Sequence, residues 1–143
     1  MTVKDAENIK LDPDVYSRCV ATAKGYYRML QRQKEIEEEI IHETHTPDGQ
    51  PRGSGTGDPT GRKVEKILQR QRENDRKIRA VEQAWISFQD KRVRMFIKKN
   101  FFEGLLMREI CIIMPEGTPM AEITMKRYRK KFLIRLAKNL FEI

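Results

Sequence analysis

Apolar residues recur along this chain at three- and four-residue intervals, in blocks separated by proline and glycine, which is the spacing of helices that bury one face. Asp12 followed by Pro13 supplies a cap and a first-turn proline. From there Tyr16, Val20, Ala23, Tyr27 and Leu30 form one stripe, joined by Ile36 and Ile40 beyond the polar patch Gln31 to Glu35, and a single helix is predicted to run to about His42. Asp58 and Pro59 repeat that start and open a second long helix through roughly Ile86. Its stripe is Val64, Ile67, Leu68, Ile78, Val81 and Trp85, with Gln71, Asn74 and Asp75 at the inward positions between. Those polar positions are either wet or set the register against a partner helix. A long helix with one narrow apolar face is not stable alone in water. The two are therefore expected to pack on each other, within one chain or between the chains of a homodimer.

Past Ser87 the text becomes more apolar. Ser87 with Asp90 is close to a capping box, and Phe88, Val93, Phe96, Ile97 and Phe101 define a helix around which the core is expected to gather. Leu106, Ile110 and Ile113 space the buried side of a short helix, ended by the breaker run Pro115 to Pro119. The last helix is predicted over about Ala121 to Phe141, opened either by Thr118 and Pro119 or at Thr124. Met125, Tyr128, Phe132, Leu136 and Leu140 line its packing face, while Arg127, Lys130, Lys131 and Lys138 fall opposite. Ile134 and Ile143 project away from that stripe and are expected to touch the N-terminal helices or a second protomer. A short helix, a turn and a longer basic helix follow the order of a helix-turn-helix reader; the plainer alternative is an amphipathic pair with solvated lysines.

The predicted fold is thus all-α: two long N-terminal helices joined by a Gly/Pro-rich linker, followed by a C-terminal three-helix helix-turn-helix domain. The divisions are 1–43, the first long helix; 44–58, a linker; 59–86, a second, basic long helix; and 87–143, the DNA-binding unit. The linker assignment rests on five glycines between Gly49 and Gly61, with Pro47, Pro51 and Pro59 among them.

Charge changes the picture most. Residues 1–60 carry 8 basic and 11 acidic side chains, net −3, and residues 61–143 carry 21 and 10, net +11, which together make the net +8. The basic half is the expected contact for a polyanion. The run Glu35, Glu37, Glu38 and Glu39 reads as a solvated face, or as an acidic strip that docks on the basic half. No apolar run approaches the roughly 18 residues of a membrane span and no hydrophobic signal region opens the chain, so a cytoplasmic protein without membrane contact is expected.

Catalytic chemistry finds little support. Cys19 and Cys111 lie far apart with no metal spacing and are expected to be buried, reduced thiols. His42 and His45 have no third histidine, and Gly61 is followed by Arg62, so neither a metal site nor a phosphate loop is assigned. No cofactor and no catalytic residue is expected.

FFEGLLMREI followed by ITMKRYRKKFLIRLAKNL resembles the helix-turn-helix of sigma-70 region 4, with an aromatic-Phe-Glu-Gly turn before an E-I pair and a T-[VM]-K-x-R opening of the last helix. The wider layout, a Gly-rich S-x-x-x-D-P-T segment feeding R-K-x-x-x-I and then DRKIRAVEQAW, resembles phage late transcription activators of the RinA and ArpU kind over about residues 12–143. The resemblance implies a sequence-specific double-stranded DNA-binding activator acting at a promoter in a bacterial host cell, touching host RNA polymerase. The connection from Ile110 to Thr124 is longer than the sigma pattern and carries Pro115 and Pro119. From position on the last helix, Thr124, Lys126 and Arg127 are expected to face base edges, Arg127 being able to grip a guanine with two hydrogen bonds. Lys130, Lys131 and Lys138, with Arg108 on the preceding helix, are expected beside phosphates. The alternative function is a small terminase-type DNA-packaging recognition subunit, which uses the same contact.

Overall fold

The computed structural model describes residues 10–44, 59–113 and 120–141. Over these it is all-helical, as expected: α1 Pro13–Lys24, α2 Tyr26–Thr44, α3 Pro59–Ile86, α4 Lys91–Ile97 continuing through a π-helical turn at Lys98–Phe102, α5 Met107–Ile113, and α6 Glu122–Phe141.

The expected first helix is divided. The Asp12 carboxylate accepts from the Asp14 amide at 2.9 Å and Pro13 occupies the first turn, so the start is as read. At Gly25 the backbone leaves helical geometry (φ −87°, ψ 8°), which separates α1 from α2. The division has a packing reason: α1 lies against α6 and the π turn, whereas α2 turns away to run along α3. The stripe shifts accordingly. Cys19, Ala23 and Tyr26 are buried, while Tyr16 and Tyr27, expected inside, are 41% and 43% exposed. Tyr26 takes the inner place, its ring 4.5 Å from that of Phe102.

The two long helices pack on each other within one chain. Asn74, 6% exposed, resolves the polar break in the second stripe: its Nδ2 donates to the Met29 carbonyl at 2.9 Å and to Gln33 Oε1 at 3.1 Å. It is a buried register point of the kind found in coiled coils. Arg70 meets Glu39 at 3.2 Å, so one glutamate of the acidic strip does dock on the basic half.

Ser87 is not the cap of the next helix. Its hydroxyl donates to the Ala84 carbonyl at 2.6 Å, closing α3, and Asp90 caps α4 by accepting from the Arg92 amide at 2.9 Å. Phe88 lies between these, buried, and the expected apolar side of α4, Val93, Phe96 and Ile97, is buried as well. The π turn that follows lets two consecutive aromatics both point inward: Phe101 reaches Phe132 (5.1 Å between rings) and Phe102 reaches Trp85 (5.7 Å). The turn is closed by the Leu105 amide on the Lys99 carbonyl at 2.9 Å and by Gly104 at φ 74°, a left-handed conformation that glycine adopts without penalty. Leu106, expected on the buried side of the next helix, is 50% exposed instead, because it precedes α5 and serves it with its carbonyl, which accepts from the Ile110 amide at 3.0 Å.

One apolar cluster runs through all of this, from Cys19 and Ala23 on α1 through Ile78, Val81 and Ala84 on α3 and Phe96 on α4 to Phe132, Leu136 and Leu140 on α6. Thr44, expected to open the linker, instead ends α2. The other expected linker residues, 45–58, with the expected cap Asp58 among them, lie outside the described residues, as do Thr118, Pro119, Ile143 and the side chains of Cys111 and Ile113.

Candidate nucleic-acid interface

The last helix has two different halves. From Phe132 to Leu140 it is enclosed: Phe132, Leu133, Ile134, Leu136, Ala137 and Leu140 are all buried. It runs antiparallel to α3, tied by Asn139 Nδ2 to the Ala80 carbonyl (3.1 Å) and by Arg76 Nη1 to the Leu140 carbonyl (2.9 Å). Ile134, off the main stripe, is buried and lines a shallow hollow together with Leu11 and Tyr16, on the side where α1 lies against α6. Between Glu122 and Lys131, by contrast, only Met125 is fully covered. The first two and a half turns therefore stand out from a mount built by the rest.

The expected base-facing residues lie on that protruding part. Lys126 and Arg127 are exposed and Thr124 is half-buried. Lys126 Nζ is 3.8 Å from Glu122 Oε1, with both side chains about two-thirds exposed (66% and 67%), a solvated pair that costs little to open. Ile123, 69% exposed, sits among these cations as an uncovered apolar side chain.

The expected phosphate-facing residues are less uniform. Lys130 is exposed and borders the shallow apolar hollow formed with Leu11, Tyr16 and Ile134. Lys131 is half-buried, its Nζ 5.3 Å from the centre of the Tyr128 ring, an attraction that holds its charge near the helix instead of swinging freely. Lys138 is half-buried on the enclosed half, about 18 Å along the axis from Lys126 at 1.5 Å per residue. It is thus set apart from the others, beyond the hollow that Leu133 and Ile134 line with Leu11 and Tyr16. Arg108 is exposed on α5.

Further cations stand beside these that sequence reasoning did not single out. Arg135 lies with its guanidinium 4.1 Å from the Phe88 ring centre and donates to Ser87 Oγ at 3.0 Å. It continues the four-residue spacing of Arg127 and Lys131, a signal that was available in the sequence. Arg92, at the start of α4, pairs with Asp90 at 3.1 Å and lies close enough to Tyr128 to feel its phenol. The Asp90 hydrogen bond holds the guanidinium firmly in its charged form, and the same contact holds the Asp90 carboxyl below the usual range. No local pattern links residue 92 to residue 128, so only the fold reveals that pair. Arg129 turns inward, over the Phe101 ring at 5.1 Å, and belongs to the mount.

The arrangement can bind and orient a polyanion. It offers cations of fixed backbone position along one helix, with aromatic rings beside Lys131 at the tip and Arg135 one turn further on. Among the described residues no group of three or more His, Cys, Asp and Glu side chains could hold a metal. Burial pushes the Cys19 thiol up to about 11, which keeps it protonated and chemically quiet at neutral pH. Among the described residues no helix is long and apolar enough to cross a membrane. No protein-family profile, no curated protein and no solved structure matches this chain.

Proposed function

We propose that the chain is a sequence-specific double-stranded DNA-binding transcriptional regulator that inserts the first half of α6 into a major groove, and that it acts as a phage late-gene activator at a promoter. The observation that carries the reading is the contrast within α6: a second half whose apolar side is buried anchors a more exposed, cationic first half. A helix about 10–12 Å across with its side chains matches the roughly 12 Å width of the major groove. α4, the π turn, α5 and α6 are read as the helix-turn-helix unit, with α5 as the positioning helix and α6 as the reader. Thr124, Lys126 and Arg127 then approach base edges, and Lys130, Lys131 and Arg108 approach phosphates, joined by Arg92 and Arg135 on the Tyr128 side. Lys138 sits too far along the enclosed half to share one groove crossing with Lys126, and serves a more distant phosphate. The resemblance to sigma-70 region 4 supports the promoter role and a contact with host RNA polymerase, and with it a cytoplasmic site of action.

Selection of binding sequences from a random duplex pool with the full chain, followed by affinity measurements on the selected and scrambled duplexes, tests the reading. An enriched motif bound at least 10³-fold more tightly than scrambled DNA is the expected result. Binding to all duplexes alike would reduce the protein to a nonspecific polyanion binder, and no binding at low salt would remove the DNA reading altogether.

A further inference from the structure

The outer part of the α2–α3 hairpin extends beyond the shared core. Ile36 and Ile67, each 3% exposed, cover one another's helices there and do not join the central cluster. Glu39 stands opposite Arg70, and Gln33 opposite Asn74. This antiparallel register brings Ile41 beside Ile67 and Leu68, and Glu37 to the level of Arg72. At about 100° per residue, Ile41 and Leu68 point to the flank of the hairpin away from the Glu39–Arg70 pair. They are 56% and 37% exposed, with half-buried Ile40 and Val64 between them. Two helices alone leave such a flank open; a four-helix arrangement closes it.

The charge on either side of this flank names the occupant. Residues 35–42 of α2 hold four glutamates and no lysine or arginine, net −4; residues 62–72 of α3 hold five basic side chains and one acidic, net +4. Glu39 and Arg70 are already paired on the opposite flank, but at the same spacing Glu37 falls on the α2 side of the Ile41–Leu68 flank and Arg72 on its α3 side. That surface carries both halves of a complementary pair, which is what a two-fold, self-complementary contact requires. We propose that the hairpin flank is the homodimer interface, with α2 of one copy seated on α3 of the other in an antiparallel four-helix bundle.

Electrostatics also selects between the two possible two-fold packings. An axis across the hairpin would stack the acidic helix on its own copy and the basic helix on its own, setting like charges face to face. An axis parallel to the hairpin seats the acidic stretch of α2 on the basic stretch of α3 twice and places Glu37 of each copy near Arg72 of the other. The second packing points both hairpin tips the same way, so both α6 surfaces lie at the same end, where they can read two half-sites of one duplex. The interface itself does not rest on the DNA reading.

Sedimentation equilibrium on the full chain without DNA, at tens of micromolar, tests this. A dimer is expected, weakened by high salt, and Leu68→Glu should be monomeric while keeping its helical circular dichroism and melting transition. Glu37→Arg should weaken the dimer by about tenfold in Kd, since each dimer contains the contact twice, and Glu37→Arg combined with Arg72→Glu should recover it. A wild-type monomer, a larger ring, or a dimer indifferent to Leu68→Glu would overturn the interface. Failure of the double exchange to recover the dimer would overturn the pairing of α2 with α3. Duplex affinity of the Leu68→Glu monomer, measured separately, reports on the DNA reading alone.

Discussion

Arg127 and Lys130 are both exposed on α6 and one turn apart, yet the proposed groove insertion gives them different work. A planar guanidinium can meet a guanine edge with two hydrogen bonds, whereas an ammonium acts on phosphates as a point charge. Arg127→Ala should therefore cost about 1–3 kcal/mol on the preferred sequence and relax the base choice at one position. Lys130→Ala should weaken all duplexes alike and reduce the salt slope by about one. Competition titrations with single-base variants separate the two; equal effects would end the division. Cys19 yields a prediction of another kind. Its thiol ionises near 9.0 when unfolded and near 11 when folded, so the unfolded chain loses the proton first as pH rises. Stability should fall across pH 9 to 11, and Cys19→Ala should remove that part of the decline, as read by denaturant melts at pH 8 and pH 10.5. Tyr26, pushed up to about 12 by burial and by the carboxylate of Glu82, adds to the alkaline loss from about pH 10 upward. At the residue scale the sequence told the chemistry of each cation but not all of its neighbours: Tyr128 lies one turn from Lys131 on the same helix, whereas the Phe88 ring under Arg135 belongs to a contact made across the fold.

Periodicity located most of the elements. It placed α3 and α6 within a residue or two of their ends, and the inward polar positions of α3 proved to include a true register point in Asn74. Asn74→Ala leaves the Met29 carbonyl and Gln33 without that donor, and a loss of about 1–3 kcal/mol in chemical denaturation is expected, with the hairpin more affected than the core. Periodicity failed where packing overrode it. Gly25 interrupts an otherwise continuous stripe because α1 and α2 serve different partners, and Tyr26 replaces Tyr27 as the buried ring. Ser87 likewise looks like a helix start, but its hydroxyl closes the helix before it. In α6 the enclosed half sets the position of the exposed half. Phe132→Ala, at 0% exposure against Phe101, should cost about 3–5 kcal/mol in stability and lose DNA binding only as far as the chain unfolds.

Across the whole molecule the net −3 of residues 1–60 and net +11 of residues 61–143 are brought together by folding without one cancelling the other, since α1 and α3 lie against α6 while Lys126, Arg127 and Lys130 stay exposed. If six or so phosphates are neutralised in the complex, affinity should drop about 10³-fold between 50 and 200 mM salt, a titration that the proposed contacts must satisfy.

By itself the sequence determined the helical class, the basic second half, the cap at Asp12 and the candidate cations, because caps, charge and three-to-four spacing are local properties read along the chain. Tertiary structure alone decided that the long helices pair within one chain, that the first is split at Gly25, and that α6 is divided into a buried anchor and an exposed tip. Those outcomes depend on which apolar faces cover one another, and coverage is a property of residues distant in sequence, such as Phe132 against Phe101 or Asn139 against Ala80.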